Sequence, residues 1–136
     1  RITTNVGVWG NMPDANPREL FWRSLDFFVP LPADTLVLPS HDRVFRGLHF
    51  RLQTLRDHHA ARLDELIQAL DQPKTASELL PVLFKRALDD HQLMFAIGET
   101  VAHLNYLLQK KRVSRTINAD GKYYFAASTR SANSNT

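Results

Sequence analysis

Residues 89–125, DDHQLMFAIGETVAHLNYLLQKKRVSRTINADGKYYF, decide the fold. Asp89 and Gln92 have the spacing of a helix N-cap and its reciprocal partner, each side chain able to satisfy an orphan backbone N–H. Leu93, Ile97, Val101, Leu104 and Leu108 then recur three and four residues apart, which predicts a helix with that face buried. Lys110, Lys111 and Arg112 put positive charge where a helix dipole is negative. Val113 to Ile117 reads as a strand, Asn118-Ala119-Asp120-Gly121 as a hairpin turn, and Lys122 to Phe125 as the return strand. A long helix running directly into a hairpin sets what the preceding segments must pack against.

Upstream, Leu48, Leu52, Leu55, His59, Leu63, Leu66, Ile67 and Leu70 keep helical spacing for about six turns, until Asp71-Gln72-Pro73. Thr75 and Glu78 form a second capping box. It opens a short helix carrying Leu79, Leu80, Leu83 and Phe84, which Pro81 is expected to kink or split. Three helices closed by a β-hairpin wing are the winged-helix arrangement. The sequence therefore reads as mainly α, with a winged-helix domain over residues 48–128. Residues 129–136 are Ser/Asn-rich without an apolar anchor and are expected to be a disordered tail.

Residues 1–47 have a different pattern. Val6-Gly7-Val8-Trp9 is a short apolar run of strand type. Asn16-Pro17 reads as an N-cap with proline in the first turn, opening a helix expected to bury Leu20, Phe21, Ser24, Leu25 and Phe28 before Pro30 and Pro32 stop it. Asp34 to Leu38 reads as a second strand, ending at Pro39-Ser40-His41. A strand–helix–strand unit cannot cover both faces of its strands alone. The expectation is that this chain, which begins at Arg1 rather than Met, is a fragment whose remaining sheet lies elsewhere.

The chain has 136 residues and no cysteine, so thiolate metal cages, catalytic thiols and disulfide frameworks are excluded. No apolar run approaches the roughly 20 residues that span a bilayer, and no signal peptide opens the chain; a cytoplasmic protein without membrane contact is expected. Net charge is +3. Residues 1–47 balance five arginines against five acids, and the excess lies in the remaining 12 basic and nine acidic residues. That permits nucleic-acid contact without arguing for it.

His41 closes an apolar strand, at the kind of sheet edge where open α/β sheets bind ligands. Taken by itself, it reads first as a turn histidine bonded to backbone, and one histidine is not a metal site, since catalytic zinc takes about three protein ligands. His58 and His59 are adjacent and point about 100° apart on a helix; His59 falls on the apolar stripe. His91 and His103, twelve apart, lack ligand spacing. As a nucleic-acid reader, the long helix starts with Asp89 and Asp90, which repel phosphate, and its middle is expected to expose Glu99 and His103. The wing offers only Arg112, Arg115 and Lys122 for this alternative, a stand-alone nucleic-acid- or protein-binding module.

Thr35-Leu36-Val37-Leu38-Pro39-Ser40-His41, Phe45-Arg46-Gly47-Leu48-His49 and His58-His59 together resemble the end of metallo-β-lactamase-fold hydrolases carrying a C-terminal winged-helix domain. Asn5 to Trp9, Asp14 to Pro17, Asp90 to Leu93, Gly98 to Thr100 and Ala102 to Leu104 fit the same pattern in the same order, so the resemblance runs from about Ile2 to Phe125. It implies a hydrolase of a small-molecule substrate with a two-metal site, dinuclear zinc or another divalent metal, at the edge of an αββα sandwich. It further implies that residues 1–47 end that catalytic domain, with His41 as its final metal ligand; Arg46 and His49 are candidates for the active-site rim, against a surface or inter-domain salt bridge for Arg46 and packing for His49. The winged helix becomes an accessory to the active site or to a homodimer. The family often has Gly after this histidine; here Asp42 stands there and is expected to cap the next turn. The family's His-x-His-x-Asp-His run is absent. The full-length parent is thus expected to be the enzyme, and the fragment alone is expected to be inactive and to hold no metal tightly.

Overall fold

The computed structural model describes residues 4–129; the tail expected over 129–136 lies outside these except for Thr129. Four helices precede one antiparallel hairpin: α1 (Pro17–Asp26), α2 (Leu48–Ala69), α3 (Ala76–Leu83), α4 (Asp90–Gln109), β1 (Val113–Ile117) and β2 (Tyr123–Ala127). The caps follow the local chemistry. Asn16 Oδ1 accepts from Glu19 N–H, and the boxes Thr75/Glu78 and Asp89/Gln92 are both complete, each satisfying N–H groups that no helix turn can reach. α3 runs unbroken through Pro81. Pro81 and Ser77, whose carbonyl loses its partner, are both exposed, so water replaces the lost bond and no split is needed.

The main core joins α2, α3, α4 and the hairpin through Leu63, Leu66, Leu79, Leu83, Leu104, Leu107, Val113 and Phe125. Leu66, Leu79, Leu104 and Leu107 are 0% exposed, and each contributes about 1.5–3 kcal/mol relative to an exposed position. β1 and β2 pair from Val113↔Ala127 to Ile117↔Tyr123. Lys74 adds one antiparallel bridge to Phe125, through N–H···O bonds of 2.9 and 2.8 Å. A β-turn closes the hairpin, Gly121 N–H donating to Asn118 O at 2.9 Å, and its φ of +75° suits glycine. A second cluster holds α1 on the first half of α2: Leu25, Leu48 and Leu52, flanked by Phe21, Trp22, Val37 and Leu55.

Three expectations change. Val6–Trp9 and Asp34–Leu38 are not strands: Val8 N–H donates to Gly98 O at 2.9 Å, and Val37 makes a single bridge with Phe45. Strand-type sequence needs a strand to pair with, and the described residues offer these segments none, so what precedes α2 is loop, helix, loop. Leu20 and Phe28 are 69% and 45% exposed while Arg18 and Leu25 are buried, because α1 turns its Arg18–Trp22–Leu25 side to α2. On α4, Leu93 is 43% exposed, and the buried set is Ala96, Gly98, Thr100, Ala102, His103, Leu104, Asn105 and Leu107. α4 is covered by α1 on one side and by α3 and β1 on the other. Among the described residues no helix is long and apolar enough to cross a membrane.

Candidate functional site

The segment around His41 is a loop pinned at its neck. Val37 and Phe45 exchange both N–H···O bonds, at 2.8 and 3.1 Å, and the residues between them form an exposed excursion with His41 near its tip. Asp42 sits at φ +75°, the left-handed region. Aspartate tolerates that conformation better than most residues, which explains how it stands where the resembling family has glycine. Its Oδ1 accepts from Arg43 N–H at 2.8 Å, a local turn bond of the expected capping kind.

Arg46 and His49 brace the preceding segment. Arg46 Nη1 donates to Asp34 O, and His49 Nε2–H donates to Leu31 O at 2.8 Å. Both residues are exposed. Around the loop, Leu36, Leu38 and Val44 are 47%, 74% and 57% exposed. His41 has no companions: among the described residues no group of three or more His, Cys, Asp or Glu is placed to hold a metal ion. The residues present therefore do not by themselves fit a metal centre.

Polar residues that pattern reading did not gather meet between α1, α2 and α4. Arg18 Nη2 lies 3.3 Å from Glu99 Oε1, and its Nη1 lies 3.4 Å from His59 Nδ1. Arginine can only donate, so His59 Nδ1 accepts and Nε2 carries the hydrogen. His103 Nδ1–H donates to Glu99 O at 2.7 Å. His103 is 1% exposed, so α4's middle does not present it to solvent as expected. Burial, and then the nearby Arg18 charge, push His59 down to about 3 and His103 down to about 2; both rings are neutral at pH 7. Burial also lowers Arg18 to about 10, against the opposing pull of Glu99. Arg18 Nε, Trp22 Nε1 and His59 Nε2 are buried without partners among the described residues. The Trp22 and Tyr106 rings flank the His59 imidazole at 4.4 and 4.9 Å. The available sequence signal was the Glu99–His103 spacing of one helix turn; nothing marked Arg18 as buried.

Most of the hairpin's basic set is paired with acids. Arg112 contacts Asp64 at 3.5 Å and Arg115 contacts Asp14 at 2.9 Å, while Lys110 reaches Glu19 at 3.2 Å. That leaves little free positive charge for phosphates along this face. Among the described residues, two larger surface clefts lie along α4. One, of about 270 Å³, lies between Val6–Trp9 and Met94, Phe95 and Gly98. The other, of about 630 Å³, lies between α3, α4 and the hairpin.

The family described as metallo-beta-lactamase-like, C-terminal domain, matches residues 63–128. Among solved structures, a beta-lactamase domain protein from Burkholderia ambifaria is similar at 43% identity and a TM-score of 0.91. A metallo-beta-lactamase family protein from Thermus thermophilus is similar at 35% identity and a TM-score of 0.77. Each similarity covers 94% of this chain but only 38% of the other, so the chain spans about two fifths of these relatives' length. No curated protein matches it.

Proposed function

We propose, from the premise that this chain is the C-terminal part of a metallo-β-lactamase-fold protein, that it supplies His41 as the last ligand of a divalent-metal hydrolytic centre in a longer protein. The observation that carries this reading is the loop itself. An exposed histidine is held on a pinned turn whose Leu36, Leu38 and Val44 are also exposed, and apolar side chains left open on one loop suit a face that another structure covers. Residues 1–47 are then the end of the catalytic domain, and its other ligands belong to parts of the protein outside this sequence. A pair of zinc ions would supply the Lewis acid and the activated water; the part of this chain is to hold one imidazole and close one edge of the site. Arg46 and His49, anchored to Asp34 O and Leu31 O, set the height of that edge beside a small-molecule substrate.

Residues 48–128 are read as the accessory winged-helix domain: α2, α3 and α4, the hairpin as wing, and the Lys74 bridge as its third, one-residue strand. Its role is to flank the opening of the active site or to pair two copies. The test is metal analysis and hydrolysis of a thioester, lactone and phosphodiester panel by a longer form of the protein. About two metal ions per chain are expected, with His41→Ala lowering metal content and activity together. If both are unchanged in His41→Ala, the assignment fails.

A further inference from the structure

We infer that the domain of residues 48–128 is a clamp: one side of α4 grips residues 8–19 through directional polar bonds and so fixes the position of the segment that precedes it.

The grip follows a stripe along the helix. Gly98, Ala102, Asn105 and Gln109 are spaced by four, three and four residues, which places them on one side of α4. Glu99 and Lys110 run beside them, about three turns apart. Gly98 O accepts from Val8 N–H at 2.9 Å. Glu99 Oε1 accepts from Arg18 Nη2 at 3.3 Å. Asn105 Nδ2 donates to Pro13 O and to Ala15 O, at 2.8 and 2.9 Å. Gln109 Oε1 accepts from Asn16 Nδ2, and Lys110 Nζ lies 3.2 Å from Glu19 Oε2. From the hairpin, Arg115 Nη1 donates to Asp14 Oδ1 at 2.9 Å. The small residues of the stripe let the segment come close: a Cβ at Gly98 would lie 2.8 Å from Val8 O, and Ala102 is 0% exposed.

Three properties separate this seam from an ordinary surface contact. Its central members are out of water, Asn105 at 5% and Arg18 at 7% exposed, where the loss of a partner costs most. Asn105 holds backbone carbonyls, and therefore selects the shape of the turn that Met12 N–H to Trp9 O and Ala15 N–H to Met12 O close at 2.9 and 3.1 Å. The apolar contact of α1, Leu25 against Leu48 and Leu52, is non-directional; it attaches the helix, and the polar bonds choose where along α4 it sits.

Arg18 makes the dependence one-sided. Its acceptors Glu99 Oε1 and His59 Nδ1 both belong to residues 48–128, and an arginine buried there without them would be an unpaired charge. The consequence for a longer protein rests on the reading of residues 1–47 as the end of a catalytic domain. The hairpin domain then completes the fold of that domain, a role besides flanking its opening or pairing two copies.

The test is amide hydrogen exchange of this chain with Asn105→Ala and with Glu99→Gln. Each should accelerate exchange at Val8, Ala15 and Glu19 about tenfold or more, while the amides of β1 and β2 stay within about twofold. In an Arg18→Met background, Glu99→Gln should add less than about twofold, because the charge it served is gone. Unchanged exchange at the three amides, equal acceleration in β1 and β2, loss of the whole fold in either variant, or a full Glu99→Gln effect without Arg18 overturns the proposal. Exchange reads the clamp and metal content reads His41, so either can fail while the other holds.

Discussion

Mild acid should unfold this protein through two histidines. His59 and His103 are 8% and 1% exposed, with folded values of about 3 and about 2, against about 6.5 for an unfolded histidine. As pH falls below about 6.5 the unfolded chain gains two protons that the folded chain refuses. The stability that depends on the neutral rings is thus complete above that pH and is lost as pH drops toward the folded values. At pH 4.5 the loss is about 2.7 kcal/mol per histidine. The rings stack at 5.8 Å and share Arg18 as a neighbour, so the two losses are not independent, and their sum of about 5 kcal/mol is an upper bound. That is the order of a small domain's whole stability. Glu19 beside Lys110 and Asp71 beside Lys74 are held below the usual carboxylate range, so the stability they contribute is lost only as pH falls through the ordinary carboxylate values, at the acid end of this window and beyond it. The assay is urea unfolding at several pH values between about 7.5 and 4.5, followed by the fluorescence of Trp22, whose ring lies 4.4 Å from His59. The expected slope at the acid end approaches 2.7 kcal/mol per pH unit. His103→Asn keeps a donor for Glu99 O without a titrating ring and should roughly halve that slope. Unfolding free energies that stay level across the window would refute the reasoning.

Two further outcomes follow from packing. A Cβ added at Gly98 lies 2.8 Å from Val8 O, so Gly98→Ala should displace the Val6–Trp9 segment. Overpacking of about 1–3 kcal/mol, set against about 1 kcal/mol of helix propensity, leaves a net loss of up to about 2 kcal/mol. Hydrogen exchange at Val8 N–H should accelerate, and a variant with unchanged Val8 protection would count against the contact. Leu66→Ala, at a 0% exposed position in the main core, should cost about 2–5 kcal/mol in urea unfolding; a loss below about 1 kcal/mol would mean that the core closes around the gap.

What could be read from the sequence was what is decided locally. The caps at Asn16, Thr75 and Asp89 and the turn at Asn118–Gly121 depend on side chains a few residues away, so they were visible in the residue order. Periodicity failed on α4 because it reports one apolar face, while this helix is covered on two sides and buries Gly98, Thr100, His103 and Asn105. The strands expected at Val6–Trp9 and Asp34–Leu38 have strand composition, but pairing belongs to tertiary structure and no partner strand is present among the described residues. Arg18 was read as one charge in a balance. An arginine on an amphipathic helix ordinarily faces water, and its burial depends on His59 and Glu99, 41 and 81 residues away. The His41 loop stood out by its Pro-Ser-His ending, whereas the backbone bonds of Arg46 and His49 have no sequence signature.

α2 belongs to two clusters at once, with Leu48 and Leu52 in the α1 cluster and Leu63 and Leu66 in the main core. The family match, beginning at residue 63, starts inside this continuous 22-residue helix. The helix therefore works as a shaft that fixes the phase of one cluster against the other, since each residue along it advances about 1.5 Å and turns about 100°. Inserting a single residue between His59 and Leu63 would leave both clusters chemically intact yet rotate one out of step with the other. The orientation of the His41 edge relative to the hairpin domain is thus written in the number of residues between two leucines, as well as in their identities.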